Sequence, residues 1–280
     1  MKNVAIAVML MVVPAVAGAQ WLHYPSPGTP RSKDGKPDLA AAAPRTADGK
    51  PDLSGIWEPE PASIPELLRL LPDAAKGVTP PLGSEPITKY FLTVFADFKP
   101  GEEPLQPQVV RRSEITASVG SKDDPFLRCF PLGMPIFDTY PSPRKIVQTP
   151  GLILMLNEND TDFRQIFTDG RKLPEDPQPS WLGYSVGTWE GDTLVVDTAG
   201  FNDRGWLDSD GHTHSEDLHL TERFHRLNFG RMELQLTLDD PKTFTKPFTI
   251  KFNFVLFPDT DLMEQYCAEN EKDLRHIKTQ

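Results

Sequence analysis

Several things are scarce in this chain, and each scarcity excludes something. Positive charge is in deficit: 40 acidic residues face 29 basic ones, for a net charge of −11. Such a chain repels nucleic acid and anionic lipid, and no basic stripe overrides this, so no nucleic-acid partner is expected. Beyond residue 19 no stretch approaches the ~20 apolar residues that a spanning helix needs, so no transmembrane segment is expected in the mature chain. Strand–helix–strand alternation is missing throughout, which argues against a parallel α/β fold. There are only two cysteines. In an oxidising compartment Cys129 and Cys267 are expected to form one structural disulfide; two buried thiols are the alternative.

What is present begins with an export signal. Lys2 supplies a positive start, Val4 to Val13 is almost wholly apolar, and Ala17-Gly18-Ala19 is a small-x-small cleavage pattern. Residues 1–19 therefore read as a cleavable signal peptide, and the location as periplasmic or secreted. Residues 20–52 read as a proline-rich arm or linker. Within it Asp34-Gly35-Lys36-Pro37-Asp38-Leu39 recurs as Asp48-Gly49-Lys50-Pro51-Asp52-Leu53. Two six-residue copies are turns, not a repeat domain.

Residues 53–280 read as a single β-barrel-like domain. Two short helices are expected at its start. Ser63 and Glu66 have capping-box spacing, and Ser84 can cap a second helix whose apolar face runs from Ile87 to Phe98. From Lys145 the pattern changes to period two. Met232, Leu234, Leu236 and Leu238 alternate with polar residues, as do Phe248, Ile250, Phe252, Phe254 and Leu256. Glu190-Gly191-Asp192 marks a hairpin turn, and Leu262 to Cys267 reads as a final strand. Sequential hairpins without intervening helices imply a mainly β fold, an antiparallel up-and-down meander. Closing it into a lipocalin-like barrel removes its edges; an open β-sandwich is the alternative.

Three stretches carry a resemblance: residues 46–57, from Thr46 to Trp57; residues 185–196, from Ser185 to Val196; and Leu218-His219-Leu220-Thr221-Glu222-Arg223-Phe224. With Asp239-Asp240-Pro241 they resemble a large family of exported bacterial proteins. The resemblance implies secretion and a shared fold. It carries no activity, cofactor or catalytic residue.

Three constellations bear on chemistry. Gly183-Tyr184-Ser185-Val186-Gly187 matches the Gly-x-Ser-x-Gly elbow, but a hairpin follows where an elbow needs a helix, so glycines relieving a crowded strand start explain it better. His212, His214, His219 and His225 crowd one stretch of a chain with six histidines. The spacing to Glu216 and Glu222 does not fit a cupin-type metal set, and neither metal nor cofactor is expected. The same stretch suits metal-free acid–base chemistry, with His219, His214 and Asp203 as catalytic candidates. Arg223, Glu222, His212, Arg164 and Trp181 are the binding candidates, and Glu222 is out of place on an otherwise apolar strand face. The expected function is an exported barrel that binds a small, partly apolar organic molecule, with isomerase-, lyase- or hydratase-type chemistry if it is an enzyme. A non-catalytic carrier or envelope interaction protein is the alternative, and a Ser185 hydrolase comes third.

Overall fold

The computed structural model describes residues 24–71, 87–109, 124–159, 162–267 and 269. The expected signal peptide and the Ser84 cap lie outside these residues. The strands are β1 (Gly55–Pro59), β2 (Arg144–Thr149), β3 (Leu152–Asn157), β4 (Phe163–Phe167), β5 (Tyr184–Glu190), β6 (Thr193–Ala199), β7 (His219–Arg226), β8 (Arg231–Asp239) and β9 (Phe248–Leu256). They close in chain order, with β9 pairing back onto β1 through Trp57 and Leu256. The mainly β, closed-barrel expectation is met.

An odd strand number has a consequence. Strands that alternate in direction around a ring of nine cannot all be antiparallel, so one neighbouring pair must run parallel. That pair is β4 and β5, in register only at Ile166–Ser185 and Phe167–Val186. Every other neighbouring pair is antiparallel. The strict meander read from the sequence is corrected at this one seam.

Side-chain alternation fills the barrel. Met232, Leu234, Leu236 and Leu238 of β8 are completely buried, as are Leu220 and Phe224 of β7, Trp57 of β1 and Phe254 of β9. Each such large apolar side chain contributes ~1.5–3 kcal/mol by leaving water.

Among the described residues helix is confined to short pieces: α1 (Ile64–Leu70), α2 (Lys89–Leu92) and α3 (Ile136–Thr139), with a 3-10 turn at Phe126–Arg128. Helix α1 has the expected capping box, with the Ser63 N–H donating to Glu66 at 3.0 Å. The long second helix expected to run to Phe98 stops after one turn. Thr93 is extended, the Val94 N–H donates to Asp208 at 2.8 Å, and the Phe91 and Leu92 carbonyls accept from Ser209 and Asp210. Loop 208–210 thus takes over the hydrogen bonds that another helical turn would have made. Tyr90, Val94 and Phe95 still reach the core. Helix α3 lies in a proline-rich stretch.

The final strand expected at Leu262 to Cys267 does not form; those residues are irregular. Both edges of β9 are already occupied, by β8 and by β1. Cys129 and Cys267 are bonded, with Cα atoms 5.5 Å apart.

The arm runs against the barrel, and its two repeats are twin brackets. Ser32 accepts from Gly35 and donates to Lys36; fourteen residues on, Thr46 does the same with Gly49 and Lys50. Arg31 and Arg45 each reach back to their own glycine carbonyl and outward to a barrel carboxylate, Asp259 and Asp192 respectively. Among the described residues no helix is long and apolar enough to cross a membrane.

Candidate functional site

The barrel interior holds a polar group of side chains in an otherwise apolar core. Strand β7 alternates, so Leu220, Glu222, Phe224 and Arg226 turn inward while His219, Thr221, Arg223 and His225 are half-exposed. Glu222 is therefore fully buried and requires a cation. Arg164, on the inward face of β4, supplies it. Arg164 Nη1 donates to Glu222 Oε1 at 2.8 Å, and Nη2 donates to Oε2, a forked pair. Two further donors go to Ser185 Oγ (3.1 Å) and Thr198 Oγ1 (2.9 Å). Helix α3 adds Asp138, 3.6 Å from Arg164 and 3.5 Å from Arg144, with both carboxylate oxygens in the core. Burial, then the adjoining charge of Glu222, pushes the Asp138 carboxyl up to about 8. Burial thus favours its protonated form. Burial also lowers Arg144, to about 10, and its guanidinium rests on the carbonyls of Phe137, Tyr140 and Ser142.

Above this cluster the wall opens at the β4–β5 seam. A cavity of about 350 Å³ lies there, lined by Phe163, Arg164, Gln165 and Phe167 on one side and by residues 180–185 on the other. Its outer lip is aromatic. Phe167 stacks on Tyr184 with ring centroids 5.2 Å apart, and Trp181 stacks on Phe130 at 5.5 Å. Arg171 sits 3.8 Å above the Phe167 ring and donates to the Tyr184 hydroxyl at 2.9 Å. Arg204 covers the Trp181 ring at 5.0 Å. Buried Arg164 and Ser185 form the floor. Such a cavity, apolar at the sides with a few convergent polar groups, suits a small organic ligand.

Four of the residues singled out in the sequence, Arg164, Glu222, Trp181 and Ser185, thus belong to one locale. The others lie apart. His219 is on the outer wall, 40% exposed and 3.9 Å from Asp197. Arg223 is also outside, paired with Glu190 at 2.9 Å. His212 is buried in loop 200–218 with its Nδ1 against both Asp208 oxygens, at 2.8 and 3.0 Å. Buried His214 points Nδ1 at the Ser215 carbonyl, and burial lowers its pKa. Asp203 is exposed on the turn of the same loop. The expected convergence of His219 with His212 or His214 in one pocket is not formed, because strand alternation carries His219 outward while the loop folds the other two inward.

The glycines around Ser185 serve packing. A Cβ on Gly183 would lie 2.9 Å from the Ala199 carbonyl, and one on Gly187 would lie 3.0 Å from Ile166. The Ser185 hydroxyl bonds to Arg164 and Thr198 rather than to a histidine. Sequence reasoning missed Asp138 and Phe163. The signal for Asp138 was faint, an acid at Ile136–Thr139 between prolines. Phe163 was visible only as one member of an alternating strand.

Among the described residues no three or more His, Cys, Asp or Glu side chains are grouped to hold a metal ion. Compared with known proteins, the chain has no significant match to a family model, a curated protein or a solved structure.

Proposed function

We propose that this is an exported binding protein whose ligand is a small, partly apolar organic molecule held in the β4–β5 cleft. The observation that carries the reading is the meeting of Phe163, Phe167, Trp181 and Tyr184 around one 350 Å³ opening with a buried Arg164–Ser185 floor. Aromatic walls supply contact area at little entropic cost, and the buried floor fixes polar orientation without moving. Export is supported by the N-terminal sequence and by the Cys129–Cys267 bond. The test is a screen of aromatic and aliphatic acids, alcohols and amides by thermal shift and tryptophan fluorescence. Trp181→Ala removes the response of any true ligand. A ligand whose binding is unaffected by Trp181→Ala and Phe163→Ala places the site elsewhere.

A second reading, acid–base catalysis, has its own observation. The Asp208–His212 pair has the orientation of a general-base dyad, and His212 Nε2 is buried without a hydrogen-bond partner beside a cavity of about 180 Å³. Chemical conversion of the identified ligand that stops with His212→Ala supports this reading; recovery of the ligand unchanged supports the carrier.

A further inference from the structure

The cleft is not a dimple on one face of the sheet but a gap in its plane. Its lining takes residues of both pleat faces from each wall: outward Phe163, Gln165 and Phe167 with inward Arg164, and the consecutive residues 180–185. Two neighbouring strands that ought to be zipped are splayed.

The pleat shows what faces the gap. Asn157 donates to the Asp162 carbonyl and Thr168 donates to the Gly151 carbonyl. In an antiparallel pair the residues that exchange hydrogen bonds alternate, so the even-numbered residues of β4 spend their backbone groups on β3. Phe163, Gln165 and Phe167 turn theirs toward β5. Pairing with β5 starts only at Ile166. The N–H groups of Phe163 and Gln165 and the Phe163 carbonyl therefore point into the gap, and among the described residues no strand pairs with them.

The gap is held open from both sides. Strand β4 is fixed to β3 by five consecutive pairs. The other wall is tied to the far side: Ser180 donates to the Gly200 carbonyl, Asn202 donates to the Ser180 carbonyl, and Gly183 is pressed against Ala199 and Phe201. The zip ends where Arg171, Phe167 and Tyr184 stack. A short, open-ended length of sheet edge is thereby built into an otherwise closed barrel, a form rarely left exposed because it templates pairing.

From this we infer that the ligand class of the cleft is an extended peptide segment, added to β4 as a short extra strand; the inference rests on the proposed cleft-binding function. The free stretch Phe163–Gln165 matches about three ligand residues, or ~10 Å of extended chain. Main-chain hydrogen bonds give affinity in such strand addition, and alternate side-chain positions give selectivity. Outward ligand side chains meet Phe163, Phe167 and Trp181 and are apolar or aromatic. Inward ones meet a floor closed by the Arg164–Ser185 hydrogen bond and are small.

The test is a panel of blocked pentapeptides with Phe or Leu alternating with Gly, Ala or Ser, titrated against the full-length oxidised protein by tryptophan fluorescence and calorimetry. At least one member binds, and N-methylation of the ligand amides that face β4 weakens it about tenfold per lost hydrogen bond, whereas N-methylation of the alternate amides does not. Gln165→Pro, which removes one N–H from an open edge, weakens the same peptide similarly. The N-methyl series in the unaltered protein keeps the test decisive if that variant misfolds. Equal binding of both N-methyl sets overturns the inference. If a non-peptide ligand binds in a Trp181-dependent way while no peptide binds at millimolar concentration, the cleft function stands and the peptide class falls. If neither class binds, both fall.

Discussion

Strands β7 and β8 are in register over eight consecutive pairs, from His219–Asp239 to Arg226–Met232, whereas β4 and β5 share two. Both pairs belong to one closed barrel and both flank the same buried cluster, to which β4 contributes Arg164 and β7 contributes Glu222. The difference separates the part of the wall that holds the barrel together from the part that gives access. On the long wall β8 pairs with β7 and with β9 over eight residues each, and the inward side chains are wholly apolar along β8. At the seam the ladder is short, and the inward side chains Arg164 and Ser185 are polar. The parallel pair follows from parity, since a ring of nine alternating strands has to place one somewhere, and here it is also the shortest overlap in the ring.

The largest effect expected on breaking this arrangement comes from the charge pair that ties the two regions. Glu222→Ala leaves Arg164 buried without its forked partner and lowers unfolding free energy by ~3–5 kcal/mol, measured by urea denaturation. Removal of the crosslink ranks next. Cys129→Ser with Cys267→Ser costs ~2–5 kcal/mol in the same assay, since the bond closes a loop of sequence separation 138.

The third effect is on pH dependence. The Asp138 carboxyl is raised from its ordinary 3.8 to about 8 by burial and by Glu222. The folded protein therefore binds a proton that the unfolded chain releases between these values. The stability this contributes is full below about pH 4, declines as the pH rises and is gone above about 8. Asp138→Asn flattens that slope in denaturation curves taken from pH 4 to 9; an unchanged slope assigns the dependence to other groups.

The long wall also shows what was legible in the sequence. The period-two pattern of β8 and β9 predicts their inward faces residue by residue, because burial on one side of a strand leaves a direct imprint. Glu222 amid Leu220 and Phe224 betrayed a buried partner, but its identity was not legible, since Arg164 lies 58 residues away and is found only by closing the barrel. Histidine density misled for a related reason: His219 and His225 follow strand parity outward, while His212 and His214 follow a loop whose path is set by Asp208, Val94 and Phe95. The stop of α2 at Leu92 was equally hidden, because the competing donors come from residues 209 and 210.

The smallest effects sharpen the contrast. Trp181→Ala weakens ligand binding at the cleft at least tenfold while changing unfolding free energy by about 1 kcal/mol or less. His219→Ala and Arg223→Ala, on the outer face of β7, change stability by no more than ~0.5–1 kcal/mol and leave ligand binding unchanged, as exposed pairs do.

Hydrogen exchange of individual backbone amides in the free protein, followed by NMR, tests the open seam most directly. Fast exchange is expected at Phe163 and Gln165, slow exchange at Arg164 and Ile166, which alternate with them and face β3, and slow exchange throughout the ladder amides of β7 and β8. Protection at Phe163 and Gln165 equal to that of β7 and β8 would mean that β4 has a partner along its whole length, and would contradict it.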